Sequence, residues 1–206
     1  MPLNTRYLQE LSDLFVTAVK RSEYYQKQPK SQQDDFDVRC AEDVAEGRYP
    51  LLPGAEEVEL QKLSEAFEEK FHLQLPSALL AILRQVDGFI ENGVSLYGVD
   101  AELRGEEFDS APGLLAENLV HWSGSPETIQ KYLFVGDSDI WQFAVDLDTG
   151  QPVALHKVTL KEAHRFSNME ELVNDMMQQA LGDYPEETED PESEPRNPPG
   201  FPFSAN

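Results

Sequence analysis

The sequence predicts a single α+β domain, and three patterns support that prediction. Through residue 88, apolar residues recur at three- and four-residue spacing, the mark of helices with one buried face. Beyond it the pattern changes to short apolar runs separated by turn residues, which reads as strands. Past Gly182 both patterns give way to proline and glutamate, GDYPEETEDPESEPRNPPGFPFSAN, a composition that predicts disorder. The expected organisation is an N-terminal helical extension and linker over 1–48, an α+β domain over 49–181, and an acidic tail over 182–206. With 206 residues and 40% hydrophobic content, one ordinary core plus extensions fits, whereas two full domains would be cramped.

The domain is organised around Leu75–Gly88, LPSALLAILRQVDG. Pro76 suits a first helical turn, where a missing N–H costs no hydrogen bond. Leu79, Ile82, Leu83 and Val86 share one face, widened by Ala78 and Leu80 until little of the helix can stay in water. Asp87-Gly88 reads as its stop. Ahead of it, Leu3 to about Gln26 forms an amphipathic helix through Leu8, Leu11, Phe15 and Val19. Gln26 to Asp37 reads as a charged linker. Cys40–Gly47 is expected as a helical turn, and Tyr49–Gly54, with two prolines, as extended chain or turn. Glu56–Phe71 is a second helix, with Leu60, Leu63, Phe67 and Phe71 on its apolar side.

Downstream, Val94–Val99 follows Asn92-Gly93 as strand after turn, and Pro112–Trp122 and Pro126–Tyr132 read as short helices. Leu133–Val135, Trp141–Leu147 and Pro152–Val158 are strands, the last two joined by a tight turn at Asp148–Gln151. Alternation in the middle strand places Gln142, Ala144 and Asp146 on a wet face. Ser167 or Asn168 then caps a final helix to Leu181, with Leu172, Val173, Met176, Met177 and Ala180 inward.

The charge excludes several functions. With 39 acidic against 16 basic residues the formal net charge is −23, which repels phosphate backbones and anionic lipid, so no nucleic acid and no membrane is expected as partner. A basic protein is the complementary partner. The N-terminus lacks a signal peptide's basic start and apolar core, and no run approaches the roughly 20 apolar residues of a membrane span. Cys40 is the only cysteine, so no intrachain disulfide can form. A cytoplasmic address is the expectation.

No reaction is announced by the motifs. Asp146–Gly150, DLDTG, lacks the ligands of a calcium loop, and an aspartic protease would need a second copy of it; a hairpin turn accounts for it. Gly136-Asp137-Ser138-Asp139 could offer two carboxylates to a metal or a basic partner, or simply turn. His72, His121, His156 and His164 show no metal-ligand spacing, and His156 and His164 lie in a basic spot with Lys157, Lys161 and Arg165. Nucleophile elbows, phosphate loops and dinucleotide glycine patterns are missing, so no enzyme, metal or cofactor is expected.

The order of marks is nevertheless familiar. Leu75-Pro76, the Asp87-Gly88 stop, Gly136-Asp137, Phe143 to Asp146, Thr149-Gly150 and Phe166 to Leu172 follow one another at characteristic spacing over 56–181. In this the chain resembles the SUKH superfamily of the Smi/Knr type, named for yeast cell-wall assembly regulators. The resemblance implies a twisted, mainly antiparallel sheet flanked by helices. In bacteria it implies an immunity protein that neutralises a toxin, often a nuclease, and in eukaryotes a signalling scaffold; it brings no catalytic residues. The segment before residue 50 and the insertion between Val99 and Leu133 fall outside the short family pattern. The expected function is thus a non-enzymatic binding module with carboxylates opposed to a basic cleft. Glu91, Asp100, Glu102, Glu106, Glu107, Asp109, Asp137 and Asp139 are the candidate partner-binding residues. The alternative is a regulatory scaffold docking through its N-terminal helix and its tail, where Phe201 and Phe203 form a candidate motif.

Overall fold

A computed structural model describes residues 2–106, 111–123 and 130–182. Eight helices and six strands are present among them: α1 (Thr5–Arg21), α2 (Glu23–Lys27), α3 (Lys30–Ala45), α4 (Glu57–Phe71), α5 (Ser77–Leu83), β1 (Phe89–Glu91), β2 (Val94–Leu96), α6 (Ala101–Arg104), α7 (Leu114–Trp122), β3 (Tyr132–Asp137), β4 (Trp141–Asp146), β5 (Pro152–His156), β6 (Glu162–Arg165) and α8 (Met169–Leu181). The strands pair antiparallel in sequence order, β1-β2-β3-β4-β5-β6, so the predicted α+β domain is a meander with helices packed on it.

One face of the sheet receives α8, which touches β1, β2 and β5 and is itself backed by α1 and α5. Gly136 makes this approach possible: a Cβ there would stand 2.5 Å from the Met176 methyl and 2.4 Å from the Ser95 carbonyl oxygen. Leu172, Val173, Met176, Met177 and Ala180 are buried as expected, and Asn168 caps the helix by accepting from the Glu171 N–H. The α1 stripe belongs to the same core. Leu3, Leu8 and Leu11 are buried in it, and the Ser12 hydroxyl donates to the Pro50 carbonyl at 2.6 Å.

Helix α7 treats β3 differently. Beyond Tyr97, one residue past β2, that chain no longer flanks β3, and the backbone of Phe134 would face an open edge. Asn118 takes the place of a strand: its Oδ1 accepts the Phe134 N–H at 3.0 Å and its Nδ2 donates to the Phe134 carbonyl at 2.8 Å. Trp122 Nε1 donates to the next outward carbonyl, Tyr132, at 2.9 Å. Buried backbone polar groups need partners, and here side chains provide them.

Several sequence expectations are corrected. The segment read as a linker, Gln26–Asp37, is helical apart from Gln28 and Pro29, which separate the end of α2 from the first half of α3. Helix α3 buries no residue, which hid it from an apolar-period reading; the Lys30–Asp34 and Lys20–Asp37 ion pairs and the Tyr25–Phe36 edge contact support it instead. The central helix stops at Leu83, before Asp87-Gly88, because the Leu83 carbonyl accepts from the Ala55 N–H and the Asp87 N–H donates to the Pro53 carbonyl. Gln142, Ala144 and Asp146 are buried at 3%, 0% and 5% exposure, so that face is not wet. His121 of α7 covers it, stacked on Phe134 and 3.3 Å from the Gln142 amide nitrogen. Strands β1 and β6 and helix α6 lacked a readable period. The helix expected at Pro126–Tyr132 falls largely outside the described residues, and Tyr132 opens β3; the tail over 183–206 lies outside them too.

Asn118→Ala should destabilise the fold by about 2–4 kcal/mol in urea unfolding, because it strands a buried N–H and a buried carbonyl on Phe134. Val120→Ala, on the exposed side of the same helix, should change stability by less than about 0.5 kcal/mol.

Candidate functional site

Sheet geometry groups some of the predicted carboxylates and disperses others. In a meander, alternate turns fall at the same end, so the β1–β2, β3–β4 and β5–β6 turns form a row. The row is in contact: the Asp139 carboxylate lies 3.5 Å from where a Gly93 side chain would begin, and the Lys157 N–H donates to the Ile140 carbonyl at 2.8 Å. The first turn is tight because Asn92 and Gly93 both adopt left-handed backbone, φ 48° and 74°. Glu91, Asp137 and Asp139 stand on this row. Between the last two turns, Ile140 is 55% exposed and Val158 85% exposed, with half-buried Trp141 beside them against His156.

Electrostatics concentrates negative charge on one side of that row. Asp137 accepts from the Lys157 ammonium at 2.5 Å. Glu117 of α7 has its carboxyl pushed up by partial burial and by the nearby charges of Asp137 and Asp100. His121 is pushed down by burial, which favours its neutral form. The basic spot read from the sequence is not free charge: Lys157 pairs with Asp137, and Arg165 pairs with Asp146 and Glu162. Asp146 illustrates the turn reading of DLDTG. Burial raises its carboxyl, but Arg165 and the N–H groups of Asp148 and Thr149 lower it further, and the net shift is downward.

The remaining predicted acids separate from the row. Asp100 is 7% exposed and accepts the Leu115 and Ala116 N–H groups at 2.9 and 2.8 Å, so it serves as the cap of α7 from a distant part of the chain, not as a surface carboxylate. Glu102 and Glu106 are exposed around α6, and Glu106 lies 3.1 Å from Arg104 Nε. Glu107 and Asp109 lie outside the described residues.

A second feature was not singled out from the sequence. Phe15, Tyr49, Leu51, Pro53, Phe89 and Ile90 wall a cleft of about 600 Å³, with Asp43, Arg48, Arg104 and Glu106 converging on it and Asp87 in its floor. Asp87 Oδ1 accepts the Val99 N–H at 2.7 Å and Oδ2 accepts from Arg104 at 2.5 Å, with both side chains nearly inaccessible. Burial pushes the Asp87 carboxyl up to about 6, and the Val99 N–H and Arg104 offset it only in part. The available signal was an acid set between buried Val86 and Phe89, a placement that demands a partner.

Among the described residues, no group of three or more His, Cys, Asp or Glu could hold a metal, and no helix is long and apolar enough to cross a membrane. No protein-family model, curated protein or solved structure matches the chain.

The Asp87 carboxyl carbon should titrate by NMR with a midpoint near 6. Because the folded pKa exceeds the unfolded one, the native state binds this proton more tightly. The stability it contributes is complete below about pH 4 and is lost as pH rises through about 6. The stability of the wild type relative to Asp87→Asn should therefore fall by up to about 3 kcal/mol between pH 4 and pH 7.

Proposed function

We propose that this protein is a non-enzymatic binding module of the immunity type, which neutralises a basic protein by covering its functional cleft with the turn row. One observation supports the reading above others: Ile140 and Val158 project into solvent at 55% and 85% exposure on tight turns, beside Asp137 and Asp139. Exposed apolar side chains rimmed by charge are the composition of interfaces, with an apolar centre supplying affinity and the rim supplying steering. Rigid turns hold these groups at low entropic cost on binding. The order of sequence marks shared with the SUKH pattern supports the same reading, as does the overall charge of −23. A nuclease domain, whose cleft is built for phosphates, has the complementary surface.

For the scaffold alternative, Leu8 and Leu11 of α1 are buried in the domain core, whereas Leu14 on the same helix is 43% exposed.

The test is capture of partners from the native host by the full chain, followed by association kinetics with the partner obtained. A single basic protein should be retained at low salt and released at about 0.5 M, where screening shortens to a few ångströms. Asp137→Ser with Asp139→Ser should slow association and flatten its salt dependence. Ile140→Ser with Val158→Ser should speed dissociation by about tenfold or more. A partner whose kinetics ignore both pairs of substitutions would sink the proposal.

A further inference from the structure

The Asp87–Arg104 cleft borders a part of the sheet where main-chain hydrogen bonding is left open beside an apolar wall. Strand β1 is an end strand. In its two-residue hairpin, Glu91 opposes Val94 and Phe89 opposes Leu96, and these residues direct their N–H and C=O groups toward β2. By alternation, Ile90 directs its own away from the sheet. The same parity is visible on β2, where the Tyr97 N–H turns the other way and donates to Val135 on β3. Among the described residues, none pairs with the outward N–H and C=O of Ile90, and its side chain is 52% exposed.

The chain covers this edge only partway. Ala55 and Pro53 run beside it, donating to the Leu83 carbonyl at 2.7 Å and accepting from the Asp87 N–H at 2.8 Å. The path then leaves the edge at the Tyr49–Leu52 turn, where Leu51 has φ 60°. The space so vacated is the cleft, directly alongside Gly88, Phe89 and Ile90. Its charged groups largely satisfy one another: Arg48 with Asp43 and Glu46, and Arg104 with Asp87 and Glu106. Arg104 Nε, though 3.1 Å from a Glu106 carboxylate oxygen, makes no hydrogen bond among the described residues. Also unmet among the described residues are one main-chain donor and one acceptor on Ile90, side by side, against apolar walls. The far edge, β6, carries the charged Glu162 and Arg165 and the exposed His164, side chains that discourage strand addition.

We infer that this cleft takes an extended, largely apolar peptide segment of a partner protein, added to β1 as a seventh strand. Its backbone pairs with Ile90, and its alternate side chains enter the space between Phe15, Tyr49, Leu51 and Phe89. This surface is separate from the turn row, and the inference does not rest on the function proposed for that row.

A display library of random peptides about nine residues long, panned against the full chain, tests it. Enriched peptides should share an alternating apolar pattern and should protect the Ile90 amide from hydrogen exchange. Ile90→Pro removes the outward N–H, together with the isoleucine side chain, at a position an end strand tolerates. It should weaken binding about tenfold, whereas Ile90→Val should leave it within about twofold. Should Ile90→Pro misfold, N-methylating the selected peptide at alternate backbone nitrogens probes the same bond on the wild-type protein: one methylation register should abolish binding and the other should not. Failure to enrich any peptide would overturn the inference. So would peptides that bind Ile90→Pro normally or ignore N-methylation in both registers. A concentration-dependent dimer that protects Ile90 without peptide would assign the edge to a second copy of the chain and equally overturn it.

Discussion

Two buried aspartates, thirteen residues apart, hold the helical and sheet parts of this protein together. Asp87 fastens the exit of α5 to the Val99 backbone and to Arg104 on α6. Asp100, one residue past Val99, fastens that same stretch to the start of α7. The short path Tyr97–Asp100 is thereby clamped from both sides, and everything that depends on it follows. Helix α7 is placed where Asn118 can replace a strand along β3. Helix α6 is placed where Arg104 can close the floor of the cleft. Two carboxylates each accept two donors here, and neither could be removed from water without those partners.

The same arrangement explains what a reading of the sequence can and cannot reach. Helices α4 and α8, with one apolar face and one wet face, were legible, and the β4–β5 hairpin was found by its turn; all came out within a few residues of their observed bounds. The α+β class was legible too, since short runs follow the helices; the turn at Asp148–Gln151 gave one antiparallel pair, and the mainly antiparallel sheet was what the resemblance implied. Helix α3 was not legible because it is supported by ion pairs and buries nothing. Strand β6, EAHR, was not legible because an end strand facing water has no reason to alternate. The burial of Gln142 and Asp146 was concealed for a different reason. A polar side chain on a strand reads as solvent-facing unless its partners are known, and those partners are His121 and Arg165, from elsewhere in the chain.

Carboxylates show the limit most plainly. In a chain with 39 acidic residues, sequence offers no way to sort structural acids from displayed ones. Asp100 and Asp137 look alike on the page, yet one caps a helix in the interior and the other stands on a turn beside Lys157. Glu91, Asp137 and Asp139 came together because strand order places alternate turns at one end, a property of the meander that no local motif encodes. Asp87, read only as a helix stop, proved to be the most perturbed carboxylate near a cleft.

The strand order has a further consequence, for the route by which the chain reaches this fold. Each strand pairs only with its neighbours in sequence, and the loops to close are short at every step but β2–β3, where residues 97–131 carry α6 and α7. The contact between α1 and α8 is of the opposite kind. Asn4 donates its N–H to the Asn174 side chain across 170 residues at 2.7 Å, and Leu8 and Leu11 join a core otherwise built from later parts of the chain. That contact has the largest loop to close and gains most once the sheet and α8 already stand. Loop-closure entropy favours an order in which the β3–β6 meander pairs first and the first helix docks last, as the latch of a structure assembled without it.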